Sequence, residues 1–196
     1  MAEVSPMMQH YLQTKEQYKD CILFYRLGDF YEMFFDDAIM VSKELELTLT
    51  GKNCGLEERA PMCGVPFHAA DSYINRLVSN GHKVAICEQM EDPALAKGLV
   101  ERDITRIVTP GTVTESCMLE ESRNNYMGCI YGQSGQYGLA FCDLSTGAFF
   151  ATTCADPRSV ASELGRFSPA EAVVNPAAYQ CGPLLSLMQE KLHCHV

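Results

Sequence analysis

The alternation of apolar and polar residues divides the chain into short segments of distinct period. Ser5-Pro6 is an N-cap residue followed by proline at the first helical position, which predicts a helix to about Tyr18. Met8, Tyr11, Leu12 and Lys15 fall on one face of that helix. Cys21 to Leu27 is an apolar run of strand character. From Phe30 the period lengthens: Tyr31, Phe34, Phe35, Ala38, Val41 and Leu45 follow the i, i+3, i+4 rule and predict a helix opening near Asp29. Leu47-Thr48-Leu49-Thr50 alternates as a strand, and residues 51–60 read as polar loop. After Pro61-Met62-Cys63-Gly64-Val65-Pro66 a helix is expected from about Ala69 to Ser79, stopped by Asn80-Gly81. Lys83 to Cys87 and Ile104 to Val108 are strand candidates.

Residues 109–125 are weakly patterned and rich in Thr, Ser, Asn and Glu, so a domain boundary is placed there. The division expected is a first domain over 1–112, a linker over 113–125 and a second domain over 126–196. Beyond the linker, Tyr126–Tyr131, Tyr137–Leu144 and Ala148–Thr153 are β-rich runs broken by Gly135 and Thr146-Gly147, the pattern of a meander. Asp156-Pro157 then caps a helix to about Phe167, Ala172–Val174 is a short strand, and Pro183–Leu192 is helical. The expected fold class is α/β: a mixed-sheet N-terminal domain with flanking helices, then a partial α/β domain.

Composition narrows the class. At 196 residues and 47% hydrophobic, the chain can bury one good core or two modest ones of about 100 residues each. No apolar run reaches the roughly 18 residues that span a bilayer, and the first residues lack the basic and apolar regions of a signal peptide. The ten cysteines are scattered through apolar stretches without paired spacing, which favours free thiols in a reducing cytoplasm over disulfides. The net charge is −10, with nine Lys/Arg against fifteen Asp/Glu in residues 1–100 and six against ten in the remainder. A protein held to DNA mainly through phosphates carries the opposite balance, so any DNA contact must use few residues.

Several constellations invite chemical readings. Gly28-Asp29-Phe30-Tyr31-Glu32 places an aromatic residue at an element junction, with a carboxylate two positions on. Asp29-x-x-Glu32 has the spacing of a capping box in its acidic form, a reading that accounts for both carboxylates but not for Phe30 at a poorly buried position. Asp29, Glu32 and Asp36 at i, i+3 and i+7 would share a helix face. A metal-dependent nuclease uses a carboxylate cluster, but such clusters usually draw ligands from several elements with a Lys or His close by, and an acidic stripe is commonly a solvated face. Gly51-Lys52 fails as a phosphate loop: its first glycine would fall at Glu46, and Asn53 stands where Ser or Thr must hold magnesium. Cys54 with Cys63, and Cys181 with His193, Cys194 and His195, lack zinc-ligand spacing. His68 sits near a helix start, where it binds phosphate or caps. Asp143, before Ser145-Thr146-Gly147, stands where a ribonuclease H fold carries a catalytic carboxylate, but Glu163 and Glu171 are poorly placed to assist it.

Four blocks in order carry a resemblance: Gly28-Asp29-Phe30-Tyr31-Glu32, Pro61-Met62-Cys63-Gly64-Val65-Pro66-Phe67-His68-Ala69, Val84-Ala85-Ile86-Cys87-Glu88-Gln89, and Val100-Glu101-Arg102 through Arg106-Ile107-Val108-Thr109-Pro110-Gly111-Thr112. Together they resemble the N-terminal part of the MutS family, the DNA mismatch-recognition ATPases of bacteria. The later part resembles the start of that family's connector domain, which has a ribonuclease H-like fold without nuclease activity. The resemblance implies that Phe30 enters the minor groove and stacks on a mispaired or unpaired base, with Glu32 beside it. It also implies DNA contacts at Leu27, Asp29, Lys52 and Arg102, although Gly51-Lys52-Asn53-Cys54-Gly55 offers one cation where some members carry two. No catalytic residue, metal or cofactor is expected in this chain; ATP and magnesium belong to the ATPase domain of a longer parent. That parent is expected to be a homodimer and a partner of MutL, with mismatched or looped double-stranded DNA as its ligand and no membrane association.

The physics of such a wedge is independent of the resemblance. Inserting an apolar ring between base steps costs a few kcal/mol of unstacking, and bending the duplex adds roughly 1–6 kcal/mol. A mismatch has already lost part of its pairing and stacking, so the same wedge costs less there. A carboxylate beside phosphates is repelled, so Glu32 is expected to be protonated when bound, to donate a hydrogen bond to the displaced base, and to penalise intact duplex.

Overall fold

The computed structural model describes residues 4–92, 96, 98–114, 119 and 123–196. Residues 115–118 and 120–122 of the predicted linker therefore lie outside the described residues. The chain folds as two compact units, Met1–Val108 and Thr109–Val196, a division that falls ahead of the predicted linker.

In the first unit, helix α1 (Pro6–Gln17) starts where Ser5 caps it, with the Ser5 hydroxyl accepting from the Met8 N–H. Strand β1 (Cys21–Leu27) turns back through Gly28-Asp29 into β2 (Phe30–Phe34), which runs directly into α2 (Phe35–Glu44). Then follow β3 (Thr50–Lys52), β4 (Ala60–Pro66), a 3-10 turn (Phe67–Ala69), α3 (Ala70–Ser79), β5 (Lys83–Gln89) and β6 (Arg102–Val108). The six strands form one sheet in the order β3-β4-β2-β1-β5-β6. Of its five strand pairs, β1 with β5 is parallel and the other four are antiparallel.

Side chains alternate across this sheet. Leu23, Tyr25 and Phe34 on one face pack with Met8 and Tyr11 of α1. Ala38 and Val41 of α2 and Ile74, Leu77 and Val78 of α3 are buried as well. Asp37, 7% exposed, joins three elements: it accepts from Lys15 Nζ at 2.9 Å and from the Leu23 N–H at 3.0 Å. The register explains why. Pairing of β1 with β2 stops at Tyr25 opposite Glu32, so Leu23 has no β2 partner and takes a carboxylate instead.

The second unit contains the antiparallel meander β7 (Tyr126–Gln133), β8 (Gln136–Asp143) and β9 (Ala148–Cys154). Helix α4 (Pro157–Phe167), capped by Asp156, leads to β10 (Glu171–Val174), which pairs in parallel with β7. Short helices α5 (Pro176–Tyr179) and α6 (Gly182–Ser186) and a π-helical turn (Leu187–Lys191) follow. Ile130, Leu139, Phe141, Val160, Leu164, Phe167, Leu184 and Met188 form its core. The expected α/β class with mixed sheets and flanking helices is the one observed.

Three sequence expectations are corrected. The helix expected from Asp29 begins at Phe35; residues 30–34 are a strand. Only Thr50 of the expected 47–50 strand is extended and paired. Residues 60–66, given no element, form β4 at the heart of the sheet's antiparallel half. The nine cysteines described carry free thiols, and burial pushes Cys63 up to about 11 and Cys87 and Cys194 up to about 12.

Candidate nucleic-acid interface

The β1–β2 connection is a two-residue hairpin, because Leu27 pairs with Phe30. Gly28 has φ +59° and Asp29 does not share the positive region, the pattern of a type II′ turn with glycine at its first central position. Placing Phe30 one step past this tight turn puts its ring on the rim of the sheet. Phe30 is 47% exposed, whereas its neighbour Tyr31 is 7% exposed. The two-residue period sends them to opposite faces.

The hairpin tip is fastened from three sides. The Gly28 N–H donates to Gln89 Oε1 at 3.1 Å, and the Phe67 N–H donates to the Asp29 carbonyl at 2.9 Å. The Tyr31 hydroxyl donates to Glu88, and burial followed by that bond raises its pKa. Arg26 lies 3.6 Å from the Glu88 carboxylate, and its guanidinium carbon stands 3.8 Å from the Phe67 ring centroid. A backbone so restrained loses little conformational freedom when a partner covers the side chain it presents.

Phe30 and Glu32 share their face of β2 with Leu27 of β1, and their partners on β4 are Pro66 and Gly64. Leu27 is half-buried and Asp29 is exposed. Lys52 stands on β3, opposite Ala60, on the same face of the sheet. Its Nζ lies 2.5 Å from Glu32 Oε2. Phe30, Leu27, Glu32 and Lys52 are thus brought to one face, with Asp29 at the turn beside them.

Arg102 is placed differently. It is 9% exposed, donates through Nε to the Arg26 carbonyl at 2.9 Å and through Nη1 to the Val100 carbonyl at 2.7 Å, and sits 5.2 Å from the Tyr25 ring centroid. This guanidinium ties the start of β6 to the end of β1; by the registers Arg102, opposite Gln89, lies buried on the same face of the sheet as Tyr25, Leu27, Phe30 and Glu32.

The competing readings lose their geometry. With residues 30–34 extended, Asp29, Glu32 and Asp36 lie on a turn, a strand and a helix, so neither the capping box nor the shared helical stripe exists. Among the described residues no three His, Cys, Asp or Glu side chains group as a metal site. Asp143 is 1% exposed and accepts from Ser145 N and Oγ, Thr146 N, Asn124 Nδ2 and Asn125 N. Burial alone would raise its pKa, but these bonds together lower it to about 2. Glu171 is occupied by Thr109 Oγ1 and the Gly111 N–H, at 2.5 and 2.9 Å. His68 is exposed on the 3-10 turn. No helix of the described residues is long and apolar enough to cross a membrane.

What the residue reading missed is the hairpin itself. Its signal was present: two β-prone runs separated by exactly two residues, Gly-Asp, is a hairpin signature.

Comparison with known proteins agrees with the four-block resemblance. The family profile for MutS domain I matches residues 5–117, and that for MutS domain II matches residues 125–194. The DNA mismatch repair protein MutS of Acetivibrio thermocellus is 65% identical over 178 residues, covering 89% of this chain and 20% of the relative. That of Ruminiclostridium cellulolyticum is 58% identical over 199 residues, covering 100% of this chain and 23% of the relative. The corresponding protein of Clostridioides difficile is 56% identical over 175 residues, covering 89% and 18% respectively. The chain thus spans about a fifth of the length of the curated relatives it matches. On these matches, the chain belongs to the MutS family and carries its domains I and II.

Proposed function

We propose that this chain recognises mispaired or unpaired bases in double-stranded DNA by inserting Phe30 from the minor groove. The observation that carries this reading is the half-exposed Phe30 on a two-residue hairpin anchored by Gln89, the Phe67 backbone and the Tyr31–Glu88 bond. Leu27 supplies apolar surface beside the ring, and the Asp29 turn lies against the groove edge. Glu32 exchanges its present partner for the displaced base, to which it donates a hydrogen bond when protonated. Lys52 contacts the phosphate backbone, and Arg102, buried on the same face against Tyr25 and the Arg26 carbonyl, supports the hairpin and adds its charge to the interface.

Selectivity in this scheme comes from deformability. The wedge meets the full cost of unstacking and bending on matched duplex, and less where stacking is already impaired. No base sequence is read in this scheme.

The chain is proposed to act as a non-catalytic recognition module. Its only Gly-Lys pair, Gly51-Lys52, lies on β3 with the lysine bound to Glu32, and no phosphate loop surrounds it. ATP and magnesium are assigned to other parts of a longer parent, which would hydrolyse ATP, act as a homodimer, engage MutL and work in the cytoplasm. The family and the share of the relatives that this chain spans support that division.

The test compares the parent chain with Phe30→Ala on matched and mismatched duplexes at several salt concentrations. The mismatch preference is expected to disappear while binding to matched duplex changes by less than about twofold, since one exposed ring contributes little to phosphate-driven affinity. Equal loss on both duplexes contradicts the wedge.

A further inference from the structure

Glu32 and Lys52 arrive from different strands and form one unit. Their charged atoms are 2.5 Å apart, with side-chain exposures of 16% for the glutamate and 35% for the lysine. Gly64 faces Glu32 across the β2–β4 pair. A Cβ at Gly64 would lie 3.1 Å from the Tyr31 carbonyl oxygen, a tight approach to the β2 backbone, and 3.5 Å from Glu32 Cγ, an ordinary contact. Lys52 extends along the same face, its Nζ 5.8 Å from the Phe34 ring centroid, and spends its charge on Glu32.

We propose that Lys52 is a specificity-determining residue, whose ammonium exchanges between the Glu32 carboxylate and a DNA phosphate and thereby sets how strongly matched duplex is rejected. The proposal rests on the recognition reading above. On matched duplex the paired bases offer Glu32 no free partner. Lys52 then stays with the carboxylate and shields the phosphates from it. On mismatched duplex the displaced base becomes the partner of Glu32, and Lys52 is released to a phosphate without leaving a bare charge behind. One lysine thus holds two states apart, and a plain phosphate contact does not.

The two readings of Lys52 give different outcomes. As a simple phosphate contact, Lys52→Met weakens both duplexes by the same factor. As the exchange partner, its removal bares Glu32 against matched DNA. On mismatched DNA the lost phosphate contact is offset, because no ion pair has to be broken first. The mismatched-to-matched affinity ratio therefore rises, by about two- to fivefold on the scale of partly exposed ion pairs.

The experiment measures binding of the parent, Lys52→Met, Glu32→Gln and the double variant to both duplexes at low salt, with Phe30→Ala in parallel. A raised ratio for Lys52→Met that vanishes in the Glu32→Gln background is expected. An unchanged or lowered ratio overturns the proposal, even where Phe30→Ala abolishes the preference and the wedge stands. If Phe30→Ala leaves the preference intact, the recognition reading fails and takes this inference with it. A urea-unfolding cycle of the same four chains without DNA is expected to reveal coupling between the two substitutions; strict additivity overturns the pair directly.

Discussion

Phe30 and Tyr31 are adjacent, chemically similar and placed in opposite environments. Tyr31 is sealed on one face of β2 and bonded to Glu88, while Phe30 stands half-exposed on the other. A phenyl ring left about half in water forgoes part of the roughly 1.5–3 kcal/mol that full burial would yield. Glu32 and Lys52 were each given a DNA-facing role by resemblance, but nothing in their sequence spacing announced that they bind one another. Twenty residues and a strand separate them, and only the register of β2, β4 and β3 joins them. Asp143 illustrates the opposite case, a carboxylate whose chemistry is entirely structural. Its five hydrogen bonds hold its folded-state pKa at about 2, below the ordinary carboxylate range. Because the folded value is depressed, its stabilisation is fully present above the unfolded carboxyl pKa and is lost as pH falls through about 2. Asp143→Asn is expected to lower stability at pH 7 by about 1–3 kcal/mol. Urea unfolding from pH 7 down to pH 2 should show that difference closing below the ordinary carboxylate range; a difference that stays constant to pH 2 contradicts the assignment.

At the scale of elements, caps and periodicity were legible where each element carried its own signal. Ser5-Pro6, Asp156-Pro157 and Asn80-Gly81 mark the observed ends of α1, α4 and α3, and Cys21–Leu27 is β1 to the residue. The failures cluster around the candidate site. The helical spacing of Phe34, Phe35, Ala38 and Val41 is genuine from Phe35 onward, and its backward extension through Tyr31 concealed β2. Phe35 itself sits at φ +53°, an unusual backbone state for a bulky residue, so the strand breaks into the helix with no turn residue to mark it. Strand β4 was hidden by Pro61, Gly64 and Pro66, residues that ordinarily argue against a strand. Here Gly64 lets β4 approach the β2 backbone, since a Cβ would meet the Tyr31 carbonyl oxygen at 3.1 Å. Asp37 joins α1, β1 and α2, and its removal leaves the Leu23 N–H without this acceptor and the Lys15 ammonium with the Cys21 carbonyl but no countercharge. Asp37→Ala is expected to destabilise the first unit by about 3 kcal/mol, measured by chemical denaturation. A cost below about 0.5 kcal/mol would mean that the junction is held by apolar contacts alone.

At the scale of the whole molecule, the net charge of −10 sets how DNA can be held. On the candidate face Lys52 is bound to Glu32 and Arg102 is buried, and the chain as a whole repels phosphate. Binding by this chain alone is therefore expected to be micromolar or weaker, near the nonspecific range. Its plot of log affinity against log salt should have a slope no steeper than about −2, since each neutralised phosphate contributes about −0.9. Titration between low and moderate salt checks this; a slope several-fold steeper would place a basic contact surface elsewhere on the molecule. Grip belongs, in this account, to parts of a longer parent, and this chain contributes discrimination. The central claim is that the Phe30 ring stacks inside a flawed duplex, and the absence of tryptophan from the sequence makes it directly observable. In Phe30→Trp the indole is the sole tryptophan, and stacking on a base quenches its emission. Titration with mismatched duplex, with complex formation followed in parallel by anisotropy of labelled DNA, is predicted to quench that emission strongly, and matched duplex at equal saturation to quench it far less. Unchanged emission in a fully formed complex with mismatched DNA would contradict the account.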